Sequence, residues 1–175
     1  MNRAFAAAVV LVVGCALVAA VLLPRGGESR EVWTEVAWTL PVDPWGKGRA
    51  FQCKAANCGA EVVLYVRPKL GFCNCVTGIA DDDDLDRMSD LALIGAEPAP
   101  SGVGRAVEVG WMKGRARAYA VNGGNVVSVA FNDRCDMMVA TAVLGPAATA
   151  SAESHVVDFL NSAPMLDWTK LKLGI

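Results

Sequence analysis

The sequence lacks the short motifs on which most enzyme active sites are built. Its single histidine, His155, lies on a predicted helix beside acidic residues, with no nucleophile motif to accompany it. There is no glycine-rich phosphate loop, nucleophile elbow, zincin motif or Cys-x-x-Cys pair. These absences argue against nucleotide-binding, hydrolase, metalloprotease and thioredoxin-type classes, and they favour a non-enzymatic role.

The chain also lacks an excess of positive charge. It carries 16 basic and 18 acidic residues, for a net charge of −2. Nucleic-acid-binding domains usually have a basic excess, so no nucleic-acid partner is expected. With 54% hydrophobic residues the chain has enough apolar material for a packed core, and the length beyond residue 23 suits one domain.

A long uncharged segment opens the chain. Residues Ala4 to Leu23 are all uncharged, and as a helix they would span roughly 30 Å, the thickness of a bilayer core. We interpret residues 1–23 as a retained transmembrane signal anchor, 24–30 as a polar linker and 31–175 as a single domain. The alternatives are a cleaved signal peptide, and a lipoprotein processed at Cys15, where the preceding Val-Val-Gly loosely resembles a lipobox.

The orientation of this segment is decided by the cysteines. Arg3 favours a cytoplasmic amino terminus, whereas Arg25 and Arg30 beyond the segment favour the opposite orientation. Five of the six cysteines follow the apolar segment, and disulfides persist in oxidising compartments. We therefore expect a single-pass protein of the inner membrane with its C-terminal domain in the periplasm.

The hydrophobic pattern predicts an α+β fold: an antiparallel β-sheet, made of a hairpin and a C-terminal meander, with two packed helices. Strands are predicted over 31–40 (with Val32, Thr34 and Val36 facing inward), 49–53, 61–67, 72–76, 105–110, 115–121, 125–131 and 137–144. Helices are predicted from the aspartates at 81–84 and over 151–162, the second ended by Pro164. The last four strands and their helix are similar in layout to PsbP/Mog1-like domains, an analogy of element order that implies no function.

Four cysteines are clustered in the spacing Cys53-x4-Cys58-x14-Cys73-x-Cys75. On a strand, Cys73 and Cys75 would be roughly 6.6 Å apart with parallel side chains, which disfavours a bond between them. We expect each to pair with Cys53 or Cys58 in two structural disulfides, with both connectivities open. Cys135 is then left over, as a buried free thiol or as the partner of one of the four.

The same cysteines define the alternative function, a thiol-active protein. Four thiolates at one end of a sheet can bind zinc or copper. A Cys-x-Cys pair in a turn can also cycle between dithiol and disulfide, with Arg67 and Lys69 lowering a thiol pKa. The principal interpretation, structural disulfides, requires no cofactor.

One predicted strand carries the candidate binding face. Lys113, Arg115 and Arg117 alternate along it, with Trp111 and Tyr119 in phase. Small apolar residues on the opposite face are expected to pack on a helix. The basic and aromatic face would meet a membrane-protein partner, anionic lipid headgroups or an acidic ligand; a solvated sheet face is the plain alternative.

The aspartate run at 81–84, with Asp86 and Asp90, lacks the central glycine and closing glutamate of a calcium loop. We interpret it as a solvated capping turn at a helix N-terminus. The sequence as a whole thus predicts a membrane-anchored periplasmic accessory domain that binds through residues 111–119. It leaves the oligomeric state open.

Overall fold

The protein is described by a computed structural model over residues 32–71, 77–95, 97–122, 124–146 and 151–175. The predicted anchor and linker, the predicted strand at 72–76, and Cys73 and Cys75 lie outside these residues. Within the described part of the chain, no helix combines the length and the apolar character needed to cross a bilayer.

The described residues contain eight strands that form one antiparallel sheet. The order is β1-β2-β3-β8-β7-β6-β4, and β5 pairs with the same edge of β6 as β4 does. Central strands β3, β7 and β8 are largely apolar on both faces, as expected for strands covered on both sides. The strand bounds are β1 Trp33–Val36, β2 Arg49–Cys53, β3 Val62–Lys69, β4 Ala99–Pro100, β5 Arg105–Val109, β6 Met112–Val121, β7 Gly124–Asp133 and β8 Asp136–Leu144.

Helices cover both faces of the sheet. They are α1 Ala55–Cys58, α2 Asp82–Met88, α3 Ser151–Leu160 and α4 Ala163–Leu173, with a 3-10 turn at Leu91–Ile94. Helices α3 and α4 pack on one face, over the largest apolar core. Helix α2 packs on the other face through a smaller cluster around Leu85, and the 3-10 turn adds a third cluster around Leu91. The sheet is therefore the middle layer of the fold.

The predicted antiparallel α+β arrangement is confirmed, and the last four predicted strands match β5 to β8 closely. The expectation that Pro164 ends the second helix was wrong. Pro164 lies in the first turn of a further helix, α4, where a missing backbone N–H costs nothing because the helix offers it no acceptor. Besides the two predicted helices, the structure contains two that were not predicted, α1 and α4.

The inward face of β1 was also predicted in the wrong phase. Trp33 is buried and stacks on Phe159 of α3, with ring centroids 4.7 Å apart. Val32 and Thr34, expected inside, are exposed. The indole buries more apolar area than valine or threonine can, which favours this phase of the strand.

Candidate functional site

The predicted binding face is divided into an open part and a covered part. Trp111, in the turn between β5 and β6, is 52% exposed, and Lys113 is exposed beside it. The side chains of Arg115 and Arg117 are only 19% and 15% exposed, and Tyr119 is buried. The five residues therefore do not form one continuous surface.

Helix α2 covers the second part, and its first contact is Asp82. The Asp82 carboxylate accepts hydrogen bonds from Arg115 Nε and, at 3.0 Å, from the backbone N–H of Gly104. Arg117 Nε lies 3.7 Å away. The hydrogen bond from Arg115, with help from Gly104, lowers the pKa of Asp82. A β-carbon at position 104 would overlap this carboxylate, so the Asp82 side chain would have to shift if Gly104 were replaced.

The second contact of α2 is Asp86, one helical turn further on. Its carboxylate accepts from Arg117 Nη1 at 2.8 Å and from the hydroxyl of Tyr119. Burial, together with this hydrogen bond to Asp86, raises the pKa of Tyr119 above its ordinary value. Between the two aspartates, Leu85 is fully buried in the cluster on the sheet. A leucine and two carboxylates thus attach α2 to the sheet.

The solvated capping turn predicted for the aspartates is therefore only part of their role. Asp81 does cap α2, because its carboxylate accepts from the backbone N–H of Asp84 at 2.8 Å. Asp82 and Asp86 are instead engaged with β6, and Asp84 and Asp90 are buried. In the residues that the structure describes, no group of three or more histidine, cysteine or acidic side chains is placed to hold a metal ion.

A fully buried arginine lies near α2, on the strand β3. The five N–H groups of Arg67 are all engaged: Nε and Nη2 donate to Asp90, both terminal nitrogens donate to Asp43, and Nη1 also donates to Gly46 O at 2.9 Å. Burial alone would lower its pKa, but the hydrogen bonds to Asp43 and Asp90 outweigh that effect and raise it. With no donor left for a ligand, this cluster is structural.

Lys69 completes the cluster on β3. Its Nζ lies 2.9 Å from Asp90 Oδ1 and donates to Met88 O at 2.7 Å. These contacts fasten the C-terminal end of α2 to the sheet. The redox alternative had Arg67 and Lys69 lowering a thiol pKa, but both side chains are engaged in this buried ion cluster. Two cations within an apolar strand are the sequence signal of such a cluster.

The cysteines pair differently from the prediction. Cys53 and Cys58 are bonded to each other, both fully buried, because α1 turns the chain back and brings their Cα atoms to 6.1 Å. The expectation that each pairs with Cys73 or Cys75 was wrong. Cys135 is also in a disulfide, so the expectation that it is a free thiol was wrong. A four-thiolate zinc or copper site is incompatible with the Cys53–Cys58 bond.

The open part of the face adjoins a groove of about 560 Å³ between the β5–β6 hairpin and α3. Asn161, just after α3, holds the hairpin: it accepts from Gly110 N at 2.8 Å and donates to Glu108 O at 3.1 Å. Lys170 Nζ of α4 lies 5.6 Å from the centre of the Trp111 ring. The groove is lined by Arg105, Ala106, Val107, Glu108, Lys113, Gly114 and Val157.

Comparison with known proteins finds a likeness in structure and none in sequence. No protein-family model matches the chain, and no curated protein matches it. Among solved structures, the chain is similar to the solution structure of cyanobacterial PsbP (CyanoP) from Synechocystis sp. PCC 6803. The TM-score is 0.46 at 9% identity, over 73% of this chain and 78% of that chain.

Proposed function

We propose that this protein is a non-catalytic, disulfide-stabilised binding domain, held at the periplasmic face of the inner membrane by its N-terminal segment. Its partner is a membrane protein, or an anionic ligand on one. The observation that carries the proposal is Trp111, half exposed at the tip of the β5–β6 hairpin with Lys113 beside it. The apolar segment at residues 4–23 and the buried disulfide support the location.

The exposed indole has the features of a binding anchor. Tryptophan is enriched among the residues that dominate protein interfaces, because one ring buries a large area with few rotatable bonds. Here the turn that carries Trp111 is held by Asn161, so little freedom is left to lose on binding. Lys113 and Lys170 add positive charge next to the ring, which suits a partner with acidic residues.

The groove beside the hairpin extends the same surface. Val157 and Gly114 supply apolar and small elements, while Glu108 and Lys113 supply one charge of each sign. Arg105 is already engaged with Glu153 of α3, with Nε 2.7 Å from the carboxylate. A partner anchored on Trp111 would therefore meet a surface with both apolar and charged side chains. On that surface Lys113 would be the main source of selectivity for an acidic partner.

Site-specific photo-crosslinking tests this proposal. A photoreactive phenylalanine analogue replaces Trp111 in the full chain, expressed in its own cells, and replaces Val42 as control, since Val42 is 59% exposed and lies in the loop before β2. We expect one discrete crosslinked membrane protein from position 111 and none from position 42. Adding Lys113→Glu should abolish that product. Equal labelling from the two positions, or a product indifferent to Lys113→Glu, would contradict the proposal.

The thiol-active alternative is less well supported. The sulfurs of Cys53 and Cys58 are buried and bonded, whereas reactive cysteines are partly exposed and near positive charge. The alternative now depends on the two cysteines that the Cys53–Cys58 and Cys135 disulfides leave over. It stays a prediction.

A further inference from the structure

The covered part of β6 is a pair of carboxylate sites that the protein fills with its own side chains. In the first, Arg115 Nε and the Gly104 N–H hold Asp82, with Arg117 nearby. In the second, Arg117 Nη1 and the Tyr119 hydroxyl hold Asp86. Carboxylates are typically bound by guanidinium groups and by backbone N–H groups. Here both kinds of donor are present, and Gly104, which has no side chain, leaves room for the anion.

Helix α2 is attached unevenly to this receptor. Its C-terminal end is fastened by Lys69 to Met88 O and by the buried Asp90 to Arg67. Its ion pairs with β6 involve side chains that are 15% to 36% exposed. Water and salt screen such pairs, so other anions can compete for them. The fully buried Leu85 between the two aspartates leaves its cluster only when another apolar side chain replaces it, and the end fastened by Lys69 and Asp90 stays in place.

The shape of the receptor specifies what else would fit. Asp82 and Asp86 are four residues apart and Leu85 lies between them, so one helical face presents two carboxylates around one apolar side chain. A free carboxylate or a single phosphate would fill one site and leave the leucine pocket empty. An acidic amphipathic helix with the spacing Asp-x-x-Leu-Asp fills all three positions.

We propose that α2 is a built-in acidic ligand, and that β6 takes an acidic helical segment of a partner protein in exchange for it. The ligand class is therefore a peptide helix with two carboxylates four residues apart and an apolar residue before the second. In this arrangement α2 swings away about its fastened end, near Met88 to Asp90. This binding site is separate from docking through Trp111.

The test uses the full chain in detergent and a fluorescently labelled synthetic peptide with the sequence of residues 79–90. Binding is measured by anisotropy. Asp82→Asn with Asp86→Asn weakens the built-in ligand and leaves the receptor intact. The control, Asp83→Asn with Glu97→Gln, removes the same charge from two exposed positions. We expect the Kd of the first variant to be about tenfold lower than that of the control, because a larger fraction of its receptors is open.

Two further variants separate this proposal from neighbouring explanations. Adding Arg115→Gln and Arg117→Gln should remove peptide binding, and Trp111→Ala should leave it unchanged even if docking through the hairpin is wrong. Equal Kd values in the two acidic variants would overturn the proposal, as would binding that survives loss of both arginines. Loss of cooperative thermal unfolding in Asp82→Asn/Asp86→Asn would overturn it too, since an indispensable helix cannot be released.

Discussion

Two hydroxyl groups in the middle of the sheet have no hydrogen-bond partner among the described residues. Ser128 of β7 and Thr141 of β8 lie directly opposite each other and are fully buried. A buried polar group without a partner costs free energy, because the water it leaves is not replaced. These hydroxyls therefore weaken the fold at its centre, in contrast to Arg67 close by, whose donors are all satisfied.

Thr141→Val is expected to leave stability unchanged or to raise it by about 1 kcal/mol, because valine keeps the shape and removes the unpaired hydroxyl. Thr39→Val is the control, since the Thr39 hydroxyl is bonded to Tyr65 OH at 2.7 Å and its loss should destabilise. Denaturant unfolding of both variants measures the difference. A Thr141→Val variant that is less stable than Thr39→Val would show that the hydroxyl has a partner after all.

At the scale of elements, the structure separates what sequence patterns can and cannot predict. Hairpins such as β5–β6 and β6–β7 were predictable because alternation and turn residues act over a few positions. The position of α2 was not, because its contacts join residues more than thirty positions apart, such as Asp82 and Arg115. The basic face of β6 was visible in the sequence, and the helix that covers it was predicted, but its aspartates had been interpreted as a solvated capping turn.

The Cys53–Cys58 disulfide links the end of β2 to the end of α1, and its contribution to stability can be tested by removing it. We expect Cys53→Ala/Cys58→Ala to lower the free energy of unfolding by about 2 kcal/mol, since the closed loop is short. Crosslinking from position 111 should persist below the lowered melting temperature. Loss of that product from a still-folded variant would support the thiol-active alternative instead.

At the scale of the whole molecule, carboxylates paired with arginines make stability depend on pH. Hydrogen bonds from Arg67 lower the pKa of Asp43, and one from Arg115 lowers that of Asp82. A carboxyl group with a lowered pKa contributes stability that is fully present above its unfolded value of about 3.9. That contribution is lost as the pH falls through the folded pKa.

The melting temperature should therefore fall as the pH drops below about 4. In the Asp43→Asn variant, position 43 no longer carries a titrating carboxyl group, so its share of the stability lost in acid is already absent. We expect the variant to melt lower than the natural chain near neutral pH and to show a smaller further decrease in acid. Parallel melting curves for the two chains across this range would contradict the role given to the Asp43–Arg67 pair.

The central claim is that the cysteines hold this domain together and do not act as a reactive or metal-binding site. The chain has six cysteines, and the Cys53–Cys58 and Cys135 disulfides use four of them, which leaves two. The most direct test is alkylation of the purified, unreduced and denatured chain, followed by intact mass and metal analysis. We expect no more than two modified thiols and no bound metal; three or more modified thiols, or stoichiometric zinc or copper, would contradict the claim.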